Sequence, residues 1–143
     1  MQPTVPSISA NVSTSMRISD VVKVWAERLP DNNAVIDPSG SWTYRALQIV
    51  ISQTADWLRS SGVRAGDRVM IVGENCREFA AVLLAISSLD AWPVPVNAHL
   101  SAREIDAVRD HAKPVESCTP RVCPCMPPNM RIGMERSYRT CPA

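Results

Sequence analysis

The sequence predicts an α/β layered domain, and three observations carry that prediction. Helix-type and strand-type apolar spacing alternate from Val35 to Lys113, the pattern of layered α/β folds. Turn and cap residues fall at the junctions, namely Asp37-Pro38-Ser39-Gly40, Gly62, and Ser101 with Glu104. The run from Phe79 to Leu89, FAAVLLAISSL, lies between two β-rich runs and is apolar almost all round, as a helix buried on most sides would be.

Taken in order, residues 1–17 are rich in Ser, Thr, Pro and Asn and read as a disordered leader, having few apolar groups to offset ordering entropy. A helix follows, with Ile18, Val21, Val22, Trp25 and Leu29 as its inward stripe and Ser19 or Asp20 as N-cap. Pro30 ends it. Ala34 to Ile36 and Ser41 to Thr43 form a small hairpin about the 37–40 turn. A second helix runs from Tyr44 to Ser61, its stripe being Leu47, Val50, Ile51, Thr54, Trp57 and Leu58, and Gly62 supplies a left-handed C-terminal cap. Arg68 to Val72 is a strand. Asn75 and Glu78 suggest a capping box for the apolar helix from Cys76 to Leu89. Trp92 to Asn97 is a strand which Pro93 and Pro95 place at an edge or make irregular. Ser101 and Glu104 open a last helix that ends near Lys113-Pro114.

Composition excludes several classes. Apolar residues are 45% and charged residues 20%, with 15 basic against 14 acidic. That balance leaves no basic footprint for nucleic acid, and no apolar run approaches the roughly 20 residues that span a bilayer. No Lys or Arg precedes Arg17, so the expected signature of a secretory signal is missing and the expected compartment is the cytoplasm.

The character changes after Pro114. Residues 116–143 hold four of the five cysteines and five prolines, without sustained periodicity. The spacing Cys118-x4-Cys123-x-Cys125-x15-Cys141 with no histidine after His111 is a poor match to a zinc site. A change of reading frame accounts for the segment better. Back-translated with GC-rich codons and read one base earlier, residues from 116 become Arg-Ile-Leu-Tyr-Thr-Pro-Arg-Val-Ser-Leu-His-Ala-Ala-Glu, a short strand followed by an amphipathic helix. The expected organisation is a leader at 1–17, a partial large domain at 18–115, and an unstructured, frameshifted tail at 116–143.

Five stretches carry a family resemblance. Ser41-Trp42-Thr43-Tyr44-Arg45-Ala46-Leu47 looks like an early (Leu/Trp)-(Ser/Thr)-Tyr-x-(Glu/Ala)-Leu element. Gly62 to Val69 is similar to a Gly-Val-x-x-Gly-Asp-x-Val turn and strand. Asn75-Cys76-Arg77-Glu78-Phe79 looks like an Asn-x-x-Glu-Phe helix opening. Ala91 to Asn97 resembles a strand ending in Pro-(Val/Ile/Leu)-Asn, and Leu100 to Ile105 a Leu-(Ser/Thr)-x-x-Glu-Ile helix start. In this order and spacing they resemble the N-terminal portion of the adenylate-forming superfamily, which includes the AMP-forming acyl-CoA synthetases. Asp90-Ala91 departs from the Ala-Gly frequent there. The resemblance implies a fragment of the layered α/β large domain. It implies an intact protein that joins a carboxylate to CoA through an acyl-adenylate, using ATP, Mg2+ and CoA.

No catalytic, cofactor-binding or metal residue is assigned to this chain. The family's Gly-rich phosphate loop, ribose-binding Asp and C-terminal catalytic Lys have no counterpart among these residues, which include only five glycines. The expected reading is therefore a truncated synthetase, inactive alone and binding no cofactor by itself. The alternatives are a non-enzymatic interaction module derived from such a synthetase and a Cys-tail redox or zinc protein. Arg45, Arg68, Arg77 and Arg103 read as solvated charges, Cys76 as a packing thiol, and Trp25, Trp42, Trp57 and Trp92 as core. His99 and His111 lack a visible nucleophile partner. Exposed sheet edges suggest self-association.

Overall fold

The computed structural model describes residues 17–118. The element order is α1 (Ile18–Arg28), β1 (Asn33–Asp37), β2 (Gly40–Thr43), α2 (Tyr44–Ser60), β3 (Arg68–Gly73), α3 (Arg77–Ser88), β4 (Trp92–Asn97), α4 (Ala102–Ala112) and β5 (Glu116–Cys118). Every helix and strand expected between 18 and 113 is present. What was expected of residues 1–16 and 119–143 lies outside the described residues.

β1 and β2 form an antiparallel hairpin, and β4-β3-β5 form a parallel sheet with β3 central. The parallel register pairs Val69 with Pro93 and Ile71 with Pro95, so Val69 and Ile71 share one face while Met70 takes the other. The first face meets α2 and α3, burying Leu58, Val69, Ile71, Ala85 and Ile86 completely. Each such Leu or Ile contributes about 1.5–3 kcal/mol of transfer free energy. Right-handed crossovers then require α4, which joins β4 to β5 across β3, to lie on the opposite face. Accordingly, Met70, Val96 and Ala112 are buried outside the main cluster, and Arg68 Nη1 donates to the Ala112 carbonyl at 2.7 Å.

Local chemistry explains the boundaries. In α2 the buried residues Leu47, Val50, Ile51, Thr54, Ala55 and Leu58 follow the i, i+3, i+4, i+7 pattern of a core-facing stripe. Thr43 caps the helix by accepting from the Ala46 amide at 3.2 Å. At the other end Gly62, with φ of +99°, donates to the Arg59 carbonyl and Val63 to the Leu58 carbonyl. That is a Schellman closure with Val63 buried against the helix. The capping box at Ser101 and Glu104 is present, with the Ser101 amide 2.8 Å from the Glu104 carboxylate.

β4 is an edge strand. Its even-numbered residues face β3, since the Trp92 amide donates to Asp67 O at 2.7 Å, so Pro93 and Pro95 face outward. Neither has an N–H, and an added strand would find acceptors there without those donors.

Six expectations are corrected. α1 begins at Ile18 with Arg17 as N-cap; Asp20 reaches back to the Arg17 amide at 2.9 Å and is not itself the cap. Its inward face is Ser19 and Val22, whereas Ile18, Val21 and Leu29 are exposed, Ile18 by 67%. The stripe of spacing was real, but α2 and α3 cover only its flank. Trp92 is 67% exposed, because it sits at the amino end of the edge strand, beyond the reach of α4. α3 is fully buried on one face only, at Ala81, Val82, Ala85 and Ile86. Strand pairing continues through Glu116–Cys118, three residues into the segment expected to be unstructured, and Arg17, expected in the leader, forms a bidentate pair with Asp90.

Lys113 ends α4 in the left-handed region, at φ 48°. A side chain there costs about 1–2 kcal/mol that glycine avoids. Lys113→Gly is expected to stabilise the fold by about 1 kcal/mol after glycine's own entropy is subtracted, read as a higher urea midpoint with an unchanged m-value.

Candidate functional site

The loops that leave β3 and β4 turn to opposite faces of the sheet, one into α3 and the other toward α4. Chains that diverge above adjacent strand ends leave a crevice at the carboxyl edge, where open α/β sheets bind ligands. A depression of about 400 Å³ lies there, lined by Gly73, Glu74, Asn75, Phe79, Pro95, Val96, Asn97 and His99. Asn97 Oδ1 accepts from the His99 amide at 2.9 Å and shapes the turn. His99 Nε2 lies 3.3 Å from Glu74 across the mouth. Phe79, Pro95 and Val96 supply an apolar floor.

This arrangement can hold the edge of a ligand and offers no group to react with one. The His99 ring is 76% exposed, so nothing isolates it as a general base. No nucleophile stands beside it. Among the described residues no three His, Cys, Asp or Glu side chains gather as a metal site. The three loop glycines at positive φ, Gly40, Gly62 and Gly66, lie in separate turns, so none of the described loops cradles a phosphate. No helix among the described residues is long and apolar enough to cross a membrane.

The most organised polar cluster lies beside the depression, at the start of α3. Asp37, at the end of β1, accepts from the Ser39 amide at 2.8 Å and from the Arg77 amide at 3.2 Å. It thereby satisfies an N–H that a helix N-terminus leaves unpaired. The Arg77 side chain is only 13% exposed. Its guanidinium meets Glu78 at 3.2 Å and Asp37 at 3.9 Å, and lies 5.2 Å from the centroid of the Trp42 ring. Gly40, at φ +138°, passes so near that a Cβ would come within 2.9 Å of Arg77 Nη1.

Arg77 is therefore not the solvated charge expected; it is held between the hairpin and α3. Sequence reading missed it because none of its partners except Glu78 is near it in the chain. The one available signal was the Asp37 turn, read only as a turn. Arg45 and Arg103 are exposed, as expected, and Arg45 pairs at 3.4 Å with the exposed Asp31. Cys76, not Asn75, is the N-cap of α3, its Sγ accepting from the Phe79 amide at 3.4 Å. Burial raises its thiol pKa, against the small lowering from that amide, so the helix terminus does not activate it. Trp42 is core at 5% exposure, whereas Trp25 and Trp57 are half-buried, and Trp25 stacks on Tyr44 at 6.1 Å. His99 belongs to the depression and His111 is exposed on α4.

The carboxyl of Asp37 is held below its ordinary 3.8, first by the Arg77 amide and then by Ser39, Arg77 charge and Gly40. A depressed carboxyl contributes stability that is complete above the unfolded value and lost as pH falls through the folded one. Asp37→Asn is expected to be less stable than the parent at neutral pH, with the gap closing below about pH 4. Urea midpoints from pH 7 to 2.5 measure this; a gap that stays constant contradicts it.

Comparison with known proteins agrees with the fold. Residues 22–121 match the family described as AMP-binding enzyme. The chain is 34% identical over 80 residues to the medium-chain fatty-acid–CoA ligase of Escherichia coli, covering 55% of this chain and 14% of that one. It is 33% identical over 91 residues to the putative acyl-CoA synthetase YngI of Bacillus subtilis, covering 62% and 17%. Among solved structures, a putative long-chain-fatty-acid CoA ligase of Rhodopseudomonas palustris superposes with a TM-score of 0.69 at 29% identity, covering 74% of this chain and 27% of that one. The N-terminal subdomain of Klebsiella oxytoca NpsA gives 0.66 at 27%, covering 73% and 32%. The chain thus spans well under a third of the two curated relatives just described. With a family match over 100 of 143 residues and a shared fold, this chain belongs to the AMP-binding, adenylate-forming enzymes.

Proposed function

We propose that this chain is the N-terminal part of an acyl-CoA synthetase, a scaffold for chemistry supplied elsewhere in the intact protein. The intact protein would use ATP and Mg2+ to convert a carboxylate to an acyl-adenylate and then to a CoA thioester. The observation that carries the reading is the pairing of a family match over residues 22–121 with a carboxyl-edge depression that holds no nucleophile, metal cluster or phosphate loop. Acyl-CoA ligases among the relatives support the choice of carboxylate and CoA.

We further infer that the frame changes near codon 116. β5 supports this through its composition. Ser117 and Cys118 pair in register with the buried Met70 and Ile71. The alternative frame puts Ile and Leu at 117 and 118, an apolar residue for each face of the sheet, as a strand covered on both faces requires.

One experiment tests both. The gene is resequenced through codons 112 to 118 and onward, and the 1–143 chain and the product of the restored frame are assayed for carboxylate-dependent ATP–pyrophosphate exchange. The restored product is expected to exchange and the 1–143 chain to show none above buffer. Exchange by 1–143 alone, or a downstream frame without a Gly-rich loop and no exchange by its product, overturns the reading.

A further inference from the structure

The local sequence does little to fix where α3 begins. Its N-cap is Cys76, whose Sγ accepts from the Phe79 amide at 3.4 Å. A thiol is a weak acceptor, outside the residue types that cap helices well. The strong acceptor comes from the hairpin instead. Asp37 Oδ2 takes the Arg77 amide at 3.2 Å and lies 3.9 Å from the Arg77 guanidinium. Both side chains are enclosed, at 10% and 13% exposure.

The other end of the β3–α3 turn is fixed by the sheet. Gly73 pairs with Asn97 in the parallel ladder, and the Ala98 amide donates to the Gly73 carbonyl at 3.4 Å. Only Glu74, Asn75 and Cys76 bridge Gly73 to Arg77, and so short a link follows its two ends. Glu74 and Asn75 line the carboxyl-edge depression, as does Phe79, two residues past Arg77. Asn97 and His99 stand on the other wall, with His99 Nε2 3.3 Å from Glu74. One wall is therefore set by the strand ladder and the other by Asp37, which is not itself part of the lining.

We propose that Asp37 is a positioning residue for the depression: through the amide and guanidinium of Arg77 it holds Glu74, Asn75 and Phe79 at their spacing from Asn97 and His99. The inference rests on the depression being part of the ligand site in the function proposed above. A contact that only stabilised the fold would leave this wall in place when removed. A positioning contact moves the wall within the folded protein, as a support behind the residues that meet a ligand does.

The test records amide and side-chain NMR spectra of the 1–143 chain and four variants. Asp37→Ala is expected to shift the amides of Glu74, Asn75 and Phe79. It should also shift those of Ala98 and His99, on the opposite loop, and lose the Overhauser contact between the His99 ring and Glu74. Asp37→Asn, which keeps an acceptor for the Arg77 amide, should restore most of the parent positions. Arg77→Met leaves the hairpin intact and should move the same resonances by less, which keeps the test decisive if Asp37→Ala does not fold. Val63→Ala, in the core beyond the far end of α2, should lower the urea midpoint and leave the wall resonances in place. Wall resonances unmoved in Arg77→Met, or unmoved in a folded Asp37→Ala, overturn the proposal. Equal shifts in Val63→Ala do so too, since general loosening would then explain them. No ligand or turnover enters this measurement, so its failure leaves the ligase reading standing, and failure of the exchange assay leaves the positioning role standing.

Discussion

The contact on which the layers depend is the one between Asp37 and the start of α3. A parallel β3–β4 pair exists only if a crossover carries the chain back, and α3 is that crossover. Its first turn is fixed from outside by a residue forty positions earlier, through the Arg77 amide and side chain. A guanidinium as enclosed as that of Arg77 must be paired or the fold loses stability. Asp37 and Glu78 supply opposite charge and Trp42 a π face. Gly40 keeps the space free by having no Cβ. The hairpin is therefore not an ornament on the sheet. It sets where α3 begins, and so where the carboxyl-edge depression lies.

The molecule is well packed on one side and open on others, and the openings share a character. α1 presents Ile18, Val21, Val24 and Leu29 outward, and the amino end of β4 an exposed Trp92. Single exposed apolar residues are ordinary, but helix stripes of them mark surfaces built for contact. The outer edge of β4 is different in kind, since its prolines at 93 and 95 discourage strand addition.

Most of the architecture was legible from residue spacing. Thr43, Gly62 and Ser101 with Glu104 announced their turns, because caps act through neighbours within four residues. The stripe of α2 was legible because one helix face meets one core. Most of the failures were non-local. Which flank of the α1 stripe is covered depends on where α2 and α3 lie, and nothing in α1 states that. Trp92 was read as core from its place in a strand, yet its burial depends on the reach of α4. Arg77 was read as solvated because its partners come from a turn forty residues away. Cys76 took the cap because the helix began one residue later than the Asn75 signal implied. As for the candidate site, its residues Glu74, Asn97 and His99 could be placed at strand ends, but their convergence required the opposite turns of two loops.

The measurement that bears most directly on this account is a double-mutant cycle between Asp37 and Arg77, using Asp37→Ala, Arg77→Ala and the double variant in urea unfolding. If the hairpin is tied to α3 through this pair, the single losses will be non-additive, the double variant losing clearly less than their sum. Strict additivity would mean that the two residues stabilise the fold independently, and that something other than this contact holds the hairpin to the sheet.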